Sequence, residues 1–377
     1  MNTNKKIWLS SPHISENEQK YVKEAFDSNW IAPVGPHINL FEEELSKISE
    51  NINVAVLSSG TAAIHLALVL LGVRRDDFVI CSSFTFSASV NPVIYQGAHP
   101  IFVDSEKETW NMDPVLLEEA ILDKINKNQK PKAIILVHLY GYPAKLDEIL
   151  AISNKYEIPI IEDAAEALGS TYKGKPLGTF GDIAIYSFNG NKIITTSSGG
   201  AILSKDYDMI EKAKFLATQA RDDQPHYEHS EIGYNYRMSN VCAAIGIGQL
   251  EVLNERVKKR RYIHDFYNHH LSAFKEINFL EELPGYYSNR WLTTIILSEN
   301  AKINREDIRL MLLSENIESR PLWKPMHLQP IFKNHIAFEN GVSEDLFNRG
   351  LCLPSGSNLI DTDLSRVVNS IKNLYEI

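Results

Sequence analysis

The sequence predicts an α/β fold with a large, mostly parallel sheet covered by helices on both faces. Through the first two-thirds of the chain, short apolar runs alternate with helix-like segments, which is typical of parallel strands buried on both faces. After about residue 275 the pattern becomes a smaller α+β arrangement, and a length of 377 residues favours two domains. We predict a large domain over residues 1–255 and a small domain over 256–377, and we expect residues 1–15 to pack with the small domain.

The individual elements follow from the spacing of apolar residues. An apolar run at 54–57 precedes a helix pattern at 61–71, and one long helix is predicted from Ser239 to about Phe274. Gly246 and Gly248 interrupt that helix, each at a cost of about 1 kcal/mol. Either another element packs closely there, or tertiary contacts hold a weakened helix. The other strands are predicted at 78–81, 101–103, 133–137, 158–161, 183–186 and 291–297, and the last two helices at 305–316 and 362–374.

Composition and charge limit the possible classes of protein. Hydrophobic residues make up 44% and charged residues 23%, which excludes a disordered or fibrous chain. The 48 acidic and 38 basic residues give a net charge of −10, opposite in sign to that of a non-specific nucleic-acid binder. The basic run at 256–261 alternates with acidic residues, so we interpret it as a solvated helix face.

The spacing of the cysteines and the absence of certain motifs further limit the possible classes of protein. The three cysteines are far apart, so neither a disulfide framework nor a zinc site is predicted, and the histidines show no metal-binding spacing. No apolar stretch is long enough to span a bilayer and no signal peptide is present, so we expect a cytoplasmic protein without a membrane partner. The P-loop motif is absent, and the Gly246-Ile247-Gly248 segment lacks the third glycine of a dinucleotide-binding motif.

The first candidate site follows the strand at 54–57. Ser59, Gly60 and Thr61 lie where this strand meets the next helix. Free backbone N–H groups and the helix dipole make such a turn an anion site. The simpler interpretation is a strand-to-helix turn with a serine N-cap, and taken alone this interpretation is favoured.

Two further candidates follow later strands. Glu162 and Asp163 end the run at 158–161, and because adjacent strand residues face opposite sides, only one of them points into a given crevice. That carboxylate either binds a cation, such as a protonated ring nitrogen, or caps a helix or forms a structural ion pair. Lys192 lies in the polar loop after the strand at 183–186. A sheltered lysine can form a Schiff base, although a single lysine is more often a surface residue.

The conjunction of these three features changes their interpretation. A phosphate cradle, a carboxylate for a ring nitrogen and a Schiff-base lysine are the parts that pyridoxal phosphate needs. With these residues in place, the sequence resembles the DegT/DnrJ/EryC1/StrS nucleotide-sugar aminotransferases, which have the aspartate aminotransferase fold (fold type I). The resemblance covers nearly the whole chain and is carried by residues 30–36, 58–63, 83–86, 138–141, 162–166, 187–192, 233–237 and 320–327.

The resemblance implies roles for individual residues. Lys192 is similar to the lysine that binds the cofactor's carbonyl carbon, and Asp163 to the partner of the pyridine nitrogen. Phe86 resembles the aromatic residue that stacks on the ring. Asn235 resembles a residue that reaches the phosphate of the neighbouring subunit, which implies a homodimer with shared sites. The other implied cofactor contacts are Gly60, Thr61, Ala62, Glu166 and Ser187, and the implied substrate contacts are Trp30, Arg237, Arg320 and His327.

Two departures from the family pattern are present. Glu166 stands where the family often has Gln, and Ser-Ser-Gly-Gly at 197–200 replaces the frequent Gly-Glu-Gly-Gly. Neither removes a residue that the chemistry requires. A dehydratase branch of the family has histidine in place of the lysine, so Lys192 argues against that branch.

The resemblance also implies an activity. It is closest to the bacillosamine-pathway and exopolysaccharide enzymes that transfer the amine of L-glutamate to C4 of UDP-4-keto-6-deoxy-GlcNAc, releasing 2-oxoglutarate. A GDP-perosamine synthase or a dTDP-sugar aminotransferase is the alternative within the family. An alternative of another class is a non-catalytic member that keeps the fold and binds a ligand or partner, against which the intact Lys192 and Asp163 count.

Overall fold

The computed structural model describes residues 5–375 as helices layered on a large central sheet. The helices are α1 (Asn17–Asp27), α2 (Pro36–Ile48), α3 (Gly60–Leu70), α4 (Asn91–Tyr95), α5 (Pro114–Asn126), α6 (Leu146–Tyr156), α7 (Tyr207–Ala217), α8 (Asn240–Glu251), α9 (Leu253–Leu271), α10 (Arg305–Ser314), α11 (Val342–Arg349) and α12 (Asp361–Tyr375). The strands are β1 (Asn53–Leu57), β2 (Phe78–Ser82), β3 (His99–Val103), β4 (Ala133–Val137), β5 (Ile160–Asp163), β6 (Thr171–Tyr172), β7 (Lys175–Pro176), β8 (Ile183–Ser187), β9 (Gly200–Ser204), β10 (Ile277–Phe279), β11 (Tyr286–Tyr287), β12 (Thr293–Leu297), β13 (Arg320–Pro321), β14 (Ile336–Phe338) and β15 (Gly350–Leu353).

The central sheet has eight strands in the order β1-β9-β8-β5-β4-β2-β3-β14. β9 runs in the direction opposite to the other seven strands, which are parallel to one another, so the predicted mostly parallel sheet is confirmed. Alternate residues of one strand enter different cores: Val54 and Val56 pack on one face, whereas Ala55 and Leu57 pack on the other. Burial on both faces explains why the sequence shows continuous apolar runs here.

A second sheet, β10-β12-β15-β13, is wholly antiparallel and forms a separate core with α9, α10 and α12. Ile7 belongs to this core and pairs with Ile317, so the N-terminal segment contacts the later part of the chain. β14 comes from the region that the sequence assigns to the small domain, yet it pairs with β3 in the central sheet. A division into domains at residue 255 stays a prediction.

The single long helix predicted from Ser239 is wrong, because α8 and α9 are separate helices on either side of Val252. α8 packs against α1 and α2, whereas the later turns of α9 pack into the core of the second sheet, and one non-helical residue separates these two sets of partners. Close packing accounts for the glycines: a Cβ at Gly246 would lie 2.6 Å from the Phe41 ring, and one at Gly248 would lie 2.6 Å from the Glu18 nitrogen.

The interpretation of the basic run 256–261 as a solvated face is also wrong. Arg256 and Arg260 are both buried, and Arg261 pairs with Glu282. Helical periodicity gives the spacing of these residues but does not show that the N-terminal segment covers this face of α9. Among residues 5–375, no helix is long and apolar enough to cross a membrane.

Candidate active site

A cleft with about 940 Å³ of open space lies at the carboxyl ends of the central strands. It is bordered by the turn from β1 to α3, the end of β5, and the loop after β8. Because parallel strands end at one edge of a sheet, distant sequence segments meet here. The predicted site residues that line the cleft are Gly60, Thr61, Phe86, Asp163, Glu166, Ser187 and Lys192.

The start of α3 forms one end of the cleft. Ser59 caps the helix, since its hydroxyl oxygen accepts a 3.0 Å hydrogen bond from the Ala62 nitrogen. The serine N-cap is therefore present. It does not exclude an anion site, because the first N–H groups of a helix have no acceptor within the helix. Gly60 is tightly enclosed, because a Cβ at this position would lie 3.1 Å from the Ser187 Cβ. Ala62 does not line the cleft.

Asp163 is a buried carboxylate that faces the cleft. Its Oδ2 accepts a 2.7 Å hydrogen bond from the Ser89 hydroxyl, and its Oδ1 accepts one of 3.1 Å from the Ala165 nitrogen. Within the described residues 5–375, no lysine, arginine or histidine side chain is paired with it. A buried anion without a cation is costly, so this carboxylate fits a protonated ring nitrogen.

Glu162 points to the opposite side of β5, as strand alternation predicts. Its carboxylate contacts His138 Nε2 at 2.9 Å and accepts hydrogen bonds from the backbone nitrogens of Phe180 and Gly181 at 2.9 and 3.0 Å. Burial opposes its ionisation, but these partners outweigh burial and lower the pKa of Glu162. Glu162 is thus a structural carboxylate behind the cleft.

Lys192 and Glu166 face each other across the cleft floor. The Lys192 Nζ lies 3.5 Å from the Glu166 Oε1, and the Tyr140 nitrogen donates a 2.7 Å hydrogen bond to the other carboxylate oxygen. Burial raises the pKa of Glu166, although the Lys192 charge opposes this shift. A lysine in such a sheltered position is not the surface lysine that its local sequence favours.

Aromatic side chains form one wall of the cleft: Phe86, which the sequence already assigned to the site, and Trp291 and Trp323, which it did not. The Lys192 Nζ lies 4.1 Å from the centre of the Trp291 ring. Tyr140 stacks between Trp291 and Trp323, with ring centres 6.3 and 6.2 Å away, and Phe86 lies 5.2 Å from Trp323. Trp291 precedes an apolar strand, so its local sequence is indistinguishable from that of a core residue.

The remaining predicted substrate residues lie elsewhere on the chain. Arg320 lines a neighbouring cavity that shares Asn191, Trp291 and Trp323 with the cleft. Trp30 and Arg237 border a separate surface depression.

Asn235 and His327 also lie outside the cleft. Asn235 is exposed. His327 Nδ1 lies 2.6 Å from the Ser83 hydroxyl, and the histidine lines neither cavity. One chain therefore does not assemble all of the predicted contacts.

The cleft fits pyridoxal phosphate, because a helix N-terminus, an unpaired buried carboxylate and a sheltered lysine surround one space. Among residues 5–375, no group of three His, Cys, Asp or Glu side chains is arranged to hold a metal ion. Fold and site together define a pyridoxal phosphate-dependent enzyme of fold type I.

Comparison with known proteins identifies the family. Residues 12–372 match the model of the DegT/DnrJ/EryC1/StrS aminotransferase family. The chain belongs to this family and is a pyridoxal phosphate-dependent aminotransferase. It is 52% identical over 375 residues to EpsN of Bacillus subtilis, whose name describes a pyridoxal phosphate-dependent aminotransferase, with 98% of this chain and 96% of that protein covered.

Two further relatives are informative. The chain is 38% identical to the GDP-perosamine synthase of Escherichia coli O157:H7, covering 98% of this chain and 99% of that protein. The pyridoxal phosphate form of the sugar aminotransferase Spr1654 from Streptococcus pneumoniae is 28% identical and superimposes with a TM-score of 0.91 over 99% of both chains. The fold and cofactor predicted from the sequence are thereby confirmed.

Proposed function

We propose that this aminotransferase moves the amine of L-glutamate to C4 of a nucleotide-linked 4-keto-6-deoxy sugar. Our first candidate is UDP-4-keto-6-deoxy-GlcNAc, which would give UDP-4-amino-4,6-dideoxy-GlcNAc. The observation that carries the proposal is the Lys192 amine, held in a sheltered cleft with the buried Asp163 and the α3 N-terminus around it. This arrangement counts against a non-catalytic member that keeps the fold.

The proposed roles follow from chemistry and position. Bound pyridoxal phosphate supplies an electron-withdrawing ring that stabilises negative charge at the substrate's amine carbon. Gly60, Thr61 and Ser187 would hold its phosphate at the α3 N-terminus, and Asp163 would keep the ring nitrogen protonated. Lys192 would bind the cofactor and then carry a proton to and from the reacting carbon.

Phe86 and Glu166 complete the proposed cofactor contacts. Phe86 lines the cleft and is 49% exposed, so its ring would be available to stack on the cofactor. Glu166 contacts Lys192 and would influence where a proton resides between the lysine and the cofactor's ring hydroxyl.

A second copy of the chain would complete the site. Asn235 is exposed and Trp30 borders a depression away from the cleft, so ligand contacts by these two residues would need another subunit. The Arg237 guanidinium instead pairs with Glu42 of its own chain. Exposed apolar side chains nearby in sequence support such an interface: Ile31 is 55%, Val34 58% and Ile232 86% exposed. We propose a homodimer in which Asn235 reaches the partner's phosphate site.

The sugar nucleotide has two candidates that relatives support. A GDP-linked 4-keto-6-deoxy sugar is the second, because the relative at 38% identity is a GDP-perosamine synthase. A UDP-4-amino-4,6-dideoxy-N-acetyl-β-L-altrosamine transaminase of Campylobacter jejuni, 31% identical over 91% of this chain, supports a UDP-linked amino sugar. The cavity that contains Arg320 adjoins the cleft and would receive part of the substrate.

A substrate panel tests the proposal. The protein with pyridoxal phosphate would be mixed with L-glutamate and a UDP-, GDP- or dTDP-linked 4-keto-6-deoxy sugar, and 2-oxoglutarate and amino sugar would be quantified. We expect the UDP sugar to give the highest kcat/KM. A preference for the GDP sugar would replace the first candidate with the second, and no product from any sugar would contradict both.

A lysine variant tests the site assignment separately. Lys192→Ala should abolish turnover, and borohydride reduction followed by peptide mass spectrometry should place the cofactor on Lys192 in the wild type. Lys205→Ala is the control that should retain activity, because Lys205 is exposed in the turn after β9, at the edge of the sheet opposite the cleft. Near-normal turnover by Lys192→Ala would contradict the assignment.

A further inference from the structure

Arg260, in the middle of α9, is a buried cation without a carboxylate partner. Its side chain is 1% exposed, and within residues 5–375 no aspartate or glutamate forms an ion pair with it. Burial lowers the pKa of Arg260, so the protein retains this charge at an energetic cost. Buried charges are normally paired, so this arrangement calls for another explanation.

The guanidinium group joins three segments that are distant in sequence. It donates hydrogen bonds to the Trp291 carbonyl oxygen, to the Ser10 hydroxyl at 3.0 Å and to the Lys192 carbonyl oxygen at 3.4 Å. The planar fork of arginine carries several donors in fixed directions, so one side chain can reach all three acceptors.

Ser10 and Trp291, which Arg260 contacts, also hold the peptide group between Asn191 and Lys192. The Asn191 carbonyl oxygen accepts hydrogen bonds from the Ser10 hydroxyl at 2.8 Å and from the Trp291 indole at 2.7 Å. Arg260 therefore contacts the Lys192 carbonyl group directly. It also contacts Ser10 and Trp291, the two residues that bind the Asn191 carbonyl group. The side chain of Lys192 ends 4.1 Å from the centre of the same Trp291 ring.

We propose that Arg260 is a positioning residue that fixes the Lys192 main chain and the Trp291 ring in one geometry. The inference rests on the proposed role of Lys192 as the cofactor-binding lysine. Arg260 does not enter the cleft, so it acts on the reaction only through the residues that it holds. A misplacement of about 1 Å at a reacting group lowers turnover on the order of 100-fold, so such support has a measurable effect.

Arg256 provides a matched control on the same helix. It lies one turn before Arg260, is also buried, and donates a 2.8 Å hydrogen bond to His13 Nδ1. It makes no hydrogen bond to the Lys192 loop. Arg256→Met and Arg260→Met therefore remove the same buried group from α9, but only the second removes contacts to Lys192 and Trp291.

The first measurement is hydrogen exchange of both variants without cofactor, followed in peptides that cover residues 189–199. We expect exchange in Arg260→Met to be at least about tenfold faster than in wild type, because carbonyl contacts that order this loop are lost. Arg256→Met should match wild type in these peptides. This readout is independent of whether Lys192 binds the cofactor.

The second measurement is steady-state kinetics with saturating pyridoxal phosphate. Arg260→Met should lower kcat roughly 10- to 100-fold with little change in KM for either substrate, since the defect lies in geometry at the reacting group. Equal losses in both variants would show a general packing effect and overturn the proposal. Unchanged loop exchange in Arg260→Met would overturn it as well.

A conservative variant keeps the proposal testable if Arg260→Met does not fold. Arg260→Lys retains the charge but presents one flexible ammonium group, which cannot replace the planar fork. We expect it to fold and to show the same loop exchange and kcat signature in weaker form. Full wild-type behaviour of Arg260→Lys in both measurements would overturn the proposal. Failure to label Lys192 after borohydride reduction would instead contradict the lysine assignment.

Discussion

The ammonium nitrogen of Lys192 lies over the indole ring of Trp291, 4.1 Å from its centre, while the indole N–H of Trp291 donates to the carbonyl oxygen of Asn191. One buried tryptophan thus contacts the end of the Lys192 side chain and the carbonyl group of the residue before it. The ring attracts the ammonium group, and the indole N–H holds the preceding peptide. This relationship makes Trp291 part of the site, although it follows Lys192 by almost one hundred positions.

We expect Trp291→Phe to lower kcat on the order of tenfold, because the smaller ring weakens the cation–π contact and cannot donate a hydrogen bond. Steady-state kinetics with saturating pyridoxal phosphate would measure this. Trp110→Phe is the control, since Trp110 is buried in the same hydrophobic cluster as Trp291 and does not line the cleft. A wild-type kcat for Trp291→Phe would show that the contact has no role in turnover.

Asp163→Asn should weaken cofactor binding and lower kcat together. Asparagine retains the shape and can keep the Ser89 hydrogen bond, but it lacks the charge opposite the ring nitrogen. Losing one partner of a buried ion pair costs about 3–5 kcal/mol, which corresponds to roughly 100-fold or more. Fluorescence titration with pyridoxal phosphate and turnover assays would measure the two effects.

Ser89→Ala provides the comparison for Asp163→Asn. It removes only the 2.7 Å hydrogen bond to the carboxylate, at a cost of about 1 kcal/mol. Its effect on cofactor affinity should therefore be several-fold and much smaller. Equal effects of the two variants would mean that hydrogen bonding, rather than charge, is what the cofactor needs at Asp163.

Glu162 and Glu166 should respond to pH in opposite directions in the cofactor-free protein. The pKa of Glu162 is lowered on folding, so its stabilising contribution is present above pH 4.5 and is lost as pH falls. The pKa of Glu166 is raised, so folded protein binds more protons there and stability decreases as pH rises above 4.5.

Glutamine variants of the two glutamates test these opposite pH dependences. Relative to wild type, Glu162→Gln should be destabilised at pH 7 and less so at pH 4, whereas Glu166→Gln should gain stability as pH rises from 4 to 7. Urea unfolding at several pH values would give both trends. Parallel trends in the two variants would contradict the opposite pKa shifts.

Gly246→Ala should destabilise the protein by about 1–3 kcal/mol, because the added methyl group meets the buried Phe41 ring at 2.6 Å. Helix propensity alone predicts the opposite sign, since alanine is the better helix former. Urea unfolding would measure the change. The double variant Gly246→Ala/Phe41→Leu should cost less than the sum of the single changes; strict additivity would exclude the clash as the cause.

Much of the fold followed from local patterns. The apolar runs predicted the six central strands from 54–57 to 183–186, and each is a strand in the structure, with β5 beginning two residues later than predicted. β9 and β14 were not predicted. β14 has only three residues, and its place beside β3 depends on pairing with a strand more than two hundred positions earlier.

The features of the site can likewise be divided into those that local sequence predicts and those that depend on the fold. The sequence by itself determined the turn at Ser59 to Thr61, the carboxylates that end β5 and the lysine after β8, because strand ends and polar residues are local signals. Strand alternation also showed that Glu162 and Asp163 face opposite sides. The local pattern does not tell the two carboxylates apart. The family resemblance implied Asp163, and the tertiary structure gives the physical reason, because different groups fold against each carboxylate.

Tertiary structure also decided which residues of the basic run are buried. The run at 256–261 has the spacing of a solvated helix face, yet Arg260 is buried because Ser10, Lys192 and Trp291 meet it from three separate segments. Periodicity reports which residues share a face of a helix. It carries no information on what covers that face, because the covering groups come from other parts of the chain and are brought there only when the whole protein folds.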